Sequence, residues 1–259
     1  MSSSVASSVL SNPDSQLHRL LTKRPRFVFL DAVNTLMDLE PDFPGFFIKM
    51  ARREGVECDP AFVKEALERS RQRVRVRLAG RADFSISQER ERTFWRSIDS
   101  EIFREMGFGD RGPEIADKAF AEFESGRHFR LLDETVPALR RLRELGFPIG
   151  IVSNGTEGME RWMRGCAFAP FMEFIFVSVG VGWEKPGPEI FRLALERAGV
   201  EPREALHVGD SFEHDILGAA GVGIPGLWVS RNGATHPECP SITHIGELPD
   251  WLEGMANRG

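Results

Sequence analysis

No tyrosine occurs in this chain of 259 residues, so no site in it can use a phenolic hydroxyl. Cysteine is scarce too. Cys58, Cys166 and Cys239 form an odd, scattered set without CxxC spacing, which supports neither a disulfide framework nor a zinc site. Reduced thiols in a cytoplasmic protein are the expectation. No apolar run approaches the roughly 20 residues of a membrane-spanning helix, and the Ser-rich start from Met1 to Val9 lacks the basic region and long apolar core of a secretory signal. Positive charge is not in excess. A formal net charge of −6 and a pI of about 5.6 argue against a free-standing nucleic-acid binder, which carries a basic surface to release counterions. Neither a nucleic acid nor a membrane is expected as a partner. Residues 1–24, polar and without sustained periodicity, read as a flexible tail. A transit peptide is the alternative, because the tail is Ser-rich and nearly free of acids.

What is present is a set of short apolar runs, each followed by a turn that carries chemistry. Phe27–Leu30 leads into Asp31-Ala32-Val33-Asn34-Thr35, and Ala205–Val208 leads into Gly209-Asp210-Ser211 and on to Asp215. Pro148–Val152 runs into Ser153-Asn154-Gly155, and Phe174–Val177 runs toward Glu184-Lys185-Pro186. Runs this short, bounded by turn formers, read as buried strands. Ligands of open α/β sheets bind at the C-terminal ends of such strands. Two carboxylates, a hydroxyl beside a flexible glycine and one ammonium suit a divalent cation plus a phosphate, since hard cations take oxygen ligands and fixed positive charge stabilises phosphoryl transfer.

At 29.1 kDa the chain is long enough for one large α/β domain with a smaller insertion. Residues 25–38 and 131–259 are assigned to the core and 39–130 to the insertion, where charged segments at helical spacing predict helices over 60–78 and 89–106. Phe94, Ile98, Ile102 and Phe103 share one face of the second. Beyond the insertion, helices over 132–145, ending at Gly146, and over 188–198, ending at Gly199, alternate with strands in the manner of a parallel sheet. A further helix through Ile216 and Ala219 and a strand over 226–230 complete the pattern.

The order Asp31, Ser153, Lys185, Asp210 at successive strand ends resembles the haloacid dehalogenase superfamily, most of whose members are phosphatases. The resemblance implies an α/β fold, with a Rossmann-like parallel sheet core and an inserted α-helical cap domain that closes over the strand ends and excludes water. It implies that Asp31 is the nucleophile, forming an aspartyl phosphate that water hydrolyses. Thr35, Ser153, the amides around Asn154 and Gly155, and Lys185 would bind the phosphate of a small phosphorylated substrate. Mg2+ would be held by Asp31, the backbone carbonyl of Val33, Asp210 and Asp215.

One position departs from the pattern. The family's phosphatases usually carry a second Asp, a general acid and base, where this chain has Val33. A valine moves no proton. The loss of assisted proton transfer costs about 10²–10⁴ per step, so a slow or specialised phosphatase is implied unless a cap residue or water takes over. Asn34 stands where the family usually has Gly, and Asn tolerates left-handed geometry better than most residues. Three other readings compete: a catalytically silent binder of a phospho-ligand or partner, a 2-haloacid dehalogenase, and a phosphonatase. The dehalogenase reading lacks its usual Tyr, and the phosphonatase reading needs a cap lysine, for which Lys49, Lys64 and Lys118 offer no distinguishing context.

Each residue also has a purely structural reading. Asp31 and Ser153 could be turn residues, Lys185 a solvated loop charge, and Asp215 a complement to a helix dipole. His207 reads as a core residue held by a hydrogen bond and His214 as a surface one. Gly221-Val-Gly-Ile-Pro-Gly226 fits GxGxxG but follows a helix and precedes a strand, the reverse of the dinucleotide fingerprint. The run Arg69, Arg71, Arg73, Arg75, Arg77 places alternate side chains on different helix faces, with Glu65 able to pair with Arg69, and reads as a solvated helix.

Overall fold

In a computed structural model the described residues are 24–78 and 87–256. The expected tail therefore lies almost wholly outside them, as do the side chains of Arg75 and Arg77. Among the described residues eight strands are formed: β1 Phe27–Leu30, β2 Met37–Leu39, β3 Phe129–Leu131, β4 Ile149–Ser153, β5 Met172–Val177, β6 Ala205–Gly209, β7 Gly226–Val229 and β8 Ser241–Ile242. Six of them make one sheet in the order β5-β4-β1-β6-β7-β8, all neighbours parallel. β1 is central, and all four of its residues are buried. The sheet is covered on both faces, which is why its strands read as continuous apolar runs rather than alternating ones.

The helices are α1 Phe43–Arg53, α2 Pro60–Leu78, α3 Gln88–Phe103, α4 Gly112–Glu124, α5 Thr135–Glu144, α6 Glu157–Gly165, α7 Pro188–Ala198 and α8 Leu248–Ala256, joined by shorter helical turns. Helix α7 spans the expected residues and stops at Gly199, which takes the left-handed conformation at φ 65. Helix α3 passes at Phe103 into a π-helical turn over Arg104–Phe108, so the expected 89–106 is helical, and the kink comes beyond it at Gly107, φ 102. Among the described residues no helix is long and apolar enough to cross a membrane.

Helices α1 to α4 share a hydrophobic core of their own, built from residues such as Phe47, Ile98, Phe103 and Ile115, while the sheet packs on separate clusters. The expected division at 39 and 130 falls inside a structural unit. β2 and β3 pair antiparallel, Met37 with Leu131 and Leu39 with Phe129, so a two-stranded ribbon carries the chain out of the sheet and back. The arginine strip is ion-paired where it is described. Arg69 lies 2.7 Å from Glu105 and 3.7 Å from Glu65, and Arg73 lies 3.0 Å from Glu101.

Candidate active site

Four strand ends converge. Asp31 follows β1, Ser153 closes β4, Lys185 sits beyond β5, and Asp210 follows β6. The buried Asp31 carboxylate accepts at Oδ1 from Lys185 Nζ at 2.6 Å and from Ser153 Oγ at 3.0 Å. Its Oδ2 accepts a long bond, 3.4 Å, from Thr35 Oγ1, and does not touch Lys185 or Ser153. Burial pushes the Asp31 carboxyl above its ordinary range, against the pull of the Lys185 ammonium. Lys185 is buried too and lies 2.6 Å from Asp215 as well as from Asp31. Burial alone would weaken its charge, but the two carboxylates hold its pKa above normal.

Asp215 is the most heavily bonded acid of the group. It accepts from Lys185 Nζ, from His207 Nε2 at 3.0 Å and from the Ser211 amide at 2.9 Å. Its carboxyl is held below the usual range: burial opposes this, but the Lys185 ammonium and the His207 hydrogen bond prevail. The glycine before Asp210 has a steric reason, since a Cβ on Gly209 would lie 2.3 Å from the Asp215 carboxyl carbon. His207 is thus a core residue held by a hydrogen bond, as its sequence setting indicates. His214 is half-buried and bonds Ser211 Oγ through Nδ1 at 2.9 Å.

One oxygen each from Asp31, Asp210 and Asp215 lie within 4.8 Å of one another. Three carboxylates against one ammonium leave excess negative charge. Asp210 feels it too: burial, then Asp31 and Asp215, push its carboxyl up to about 7. Asn34 adopts the left-handed conformation at φ 59, as its turn position requires, and its Nδ2 donates to Asp210 Oδ2 at 2.9 Å. No glycine could make that bond.

Of the expected phosphate donors the Gly155 amide has another partner, and the side chain of Asn154, though not its amide, is engaged elsewhere. The Asn154 side chain is paired with the main chain of Lys185, its Nδ2 donating to the carbonyl at 2.8 Å and its Oδ1 accepting from the amide at 2.7 Å. This double clamp aims the lysine rather than a ligand. The Gly155 amide donates to Ser178 Oγ at 3.0 Å. Thr35 is fully buried behind Asp31, which makes it a support for that carboxylate.

Val33 is half-buried and lines a cavity of about 190 Å³ that also touches Asn154 and Gly155, beside the carboxylates. The opposite walls come from the helical layer and from β3, including Phe43, Phe46, Trp95, Phe123 and Phe129. Two acids that sequence reasoning passed over, Glu91 and Asp99, line it as well. Burial pushes Asp99 up to about 8, and burial reinforced by Glu124, Glu184 and Glu157 pushes Glu91 up to about 8. The signal was present: Glu91, Trp95 and Asp99 recur at i, i+4, i+8 and so share one face of α3.

The haloacid dehalogenase-like hydrolase family matches residues 25–223, and the chain belongs to it. Haloacid dehalogenase-like hydrolase domain-containing protein 3 of Mus musculus is 30% identical over 252 residues, covering 92% of this chain and 98% of that protein. Phosphoserine phosphatase of Thermus thermophilus is 32% identical over 154 residues, 57% of this chain and 61% of that protein. Among solved structures, the HAD-hydrolase YfnB from Bacillus subtilis, bound to magnesium, superposes with a TM-score of 0.73 at 22% identity, over 89% of this chain and 99% of that one. The fold is thereby shared across nearly the whole chain.

Proposed function

We propose that this hydrolase is a magnesium-dependent phosphatase acting on a small phosphorylated metabolite through an aspartyl phosphate on Asp31. The observation that carries the reading is the state of the Asp31 carboxylate, pinned at Oδ1 by Lys185 and Ser153 while Oδ2 has from the side chains only a long contact to Thr35. A fixed nucleophile with one oxygen outside that grip is suited to in-line attack. Support also comes from relatives: one is a phosphoserine phosphatase, and a structural neighbour binds magnesium.

The donor set fits the cation. Three hard oxygen donors lie together, and the repulsion from Asp31 and Asp215 that adds to burial in raising Asp210 is what a divalent ion relieves. Asp31, Asp210 and the Val33 carbonyl would hold it, with Asp215 contributing only its remaining lone pair. When bound, magnesium supplies charge neutralisation at the transferring phosphoryl group. The chain's own residues do the rest. Asp31 Oδ2 forms the bond to phosphorus as the bond to the leaving oxygen breaks, and water then cleaves the acyl phosphate. Lys185 and Ser153 Oγ keep the carboxylate aimed and face the phosphoryl oxygens. No side chain at position 33 hands a proton to the leaving oxygen.

Beryllofluoride, which mimics an acyl phosphate on Asp, tests the reading. It is expected to raise the melting temperature only with magnesium present, by ligand linkage. Retention of the full effect in Asp31→Asn would show the nucleophile is elsewhere. Val33 favours one second reading, a silent phospho-ligand binder; such a protein would bind beryllofluoride yet turn over no phosphate ester or acyl phosphate.

A further inference from the structure

The cavity beside Val33 has a composition that a plain apolar pocket does not need. Its walls are rich in aromatic rings: Phe43 and Phe46 stand 6.4 and 6.2 Å from Phe123 between ring centroids, and Phe123 stands 5.1 Å from Phe129. Into this lining α3 brings Glu91, only 2% exposed, whose Oε2 accepts no hydrogen bond. A buried oxygen without a donor costs about 1–3 kcal/mol, so its retention calls for an occupant that supplies the donor. Nearby, Glu124 Oε1 is likewise buried without a partner. Asp99, two turns along the same face of α3 as Glu91, adds a third carboxyl.

The charge on the other elements points the same way. Glu124 at the end of α4, Glu157 at the start of α6 and Glu184 before Lys185 all act on Glu91, and each is an acid. Arg161, 3.6 Å from both Glu124 and Glu157, is largely exposed on the outer side. A ligand that carries negative charge or only acceptors finds repulsion here. A neutral apolar group satisfies the rings and leaves Glu91 Oε2 bare. An ammonium group satisfies both, because its N–H bonds supply the missing donor and its charge is attracted to aromatic faces.

We propose that this cavity is the subsite for the leaving group of the substrate, and that it takes a primary ammonium carried on an apolar or aromatic skeleton, the amine of an amino-alcohol phosphate ester. The inference deepens the phosphatase reading, since the cavity opens on Val33, Asn154 and Gly155 at the strand ends. The absence of a carboxyl at position 33 keeps the near wall apolar and leaves recognition to the far one.

Binding of phosphate-free probes separates the two readings. Isothermal titration of the whole protein with phenethylamine and with its neutral isostere 2-phenylethanol, at a pH above the Glu91 midpoint, is expected to give the amine at least ~10-fold tighter binding. Glu91→Gln should abolish that preference while binding of the alcohol survives, which shows the variant is folded. Asp99→Asn should reduce the preference by less. Equal binding of amine and alcohol, stronger binding of the carboxylate 3-phenylpropionate, or no binding of the amine would each overturn the proposal. If Asp31→Asn abolished beryllofluoride binding yet retained the amine preference, nucleophile and subsite would both stand; amine preference with no phosphatase turnover would leave the subsite standing alone.

Discussion

Introducing a carboxyl at position 33 is the most direct probe of the chemistry. In Val33→Asp the side chain would extend from the turn after β1 into the cavity wall, while the backbone carbonyl stays where it is. The environment sets both cost and gain. Burying a polar group that is incompletely bonded costs about 1–3 kcal/mol, which for a chain of this size is a melting-temperature loss of roughly 2–10 °C. The same lining pushes Glu91 and Asp99 up to about 8. A new carboxyl against it will be held above its ordinary range as well, so a protonated fraction survives near neutral pH, the state a general acid needs. Alkyl phosphates, whose leaving oxygens need a proton, should gain about tenfold or more in turnover, equivalent to ~1.4 kcal/mol or more off the barrier. Acyl and aryl phosphates should gain little. The assay is steady-state turnover with magnesium across a series of leaving groups, whose dependence should be steep in the parent and flatter in the variant. A folded variant that binds beryllofluoride but shows neither gain nor flattening would refute the assignment of position 33 as the missing acid.

Two stability measurements follow from the same charges. Asp215→Asn should lose about 3–5 kcal/mol, because it removes the buried negative charge that Lys185 and His207 face and turns the oxygen that accepts from the Ser211 amide into an N–H donor; Asp31→Asn should lose much less, since Lys185 keeps Asp215 and a costly buried carboxylate is removed. Equal losses in urea melts would contradict this division. Because Asp215 is held low, its contribution is present above the ordinary carboxylate range and is lost as pH falls through and below it. Glu91, Asp99 and Asp210 act with the opposite sign: they bind protons up to about 8, 8 and 7 in the folded state, whereas unfolded carboxyls release them near ~4. Stability without metal should therefore rise as pH falls from about 8 toward about 5. Magnesium should flatten the part due to Asp210, and Glu91→Gln with Asp99→Asn the rest; a flat metal-free profile would sink the argument.

The strand ends were legible because their signal is local: an apolar run, then a turn with one acid or hydroxyl. Helix α7 was legible for the same reason, with Pro188 opening it and Gly199 closing it. The roles of Asn154 and Gly155 were not, because their partners, the Lys185 main chain and Ser178 Oγ, lie at another strand end. Glu91 and Asp99 escaped notice since acids on a charged helix read as solvated, and only rings contributed by α1, α4 and β3 bury them. The division at residues 39 and 130 missed the ribbon because two three-residue strands are too short for an alternating pattern to register.

The pairing of β1 with β6 in register, Phe27 with Ala205 through Leu30 with Val208, has a kinetic side. It closes a span of 176 residues at the Asn34–Asp210 hydrogen bond. Parallel pairings between such distant segments form slowly, since the entropy of closure is spent before contacts compensate it. Here the closing step also drives like charges together, so the acidic trio exists only once β1 and β6 are paired. A cation bound at that trio is expected to slow unfolding more than it speeds folding, which unfolding rates measured with and without magnesium would check. The lifetime of the native fold and its competence for chemistry depend on the same junction.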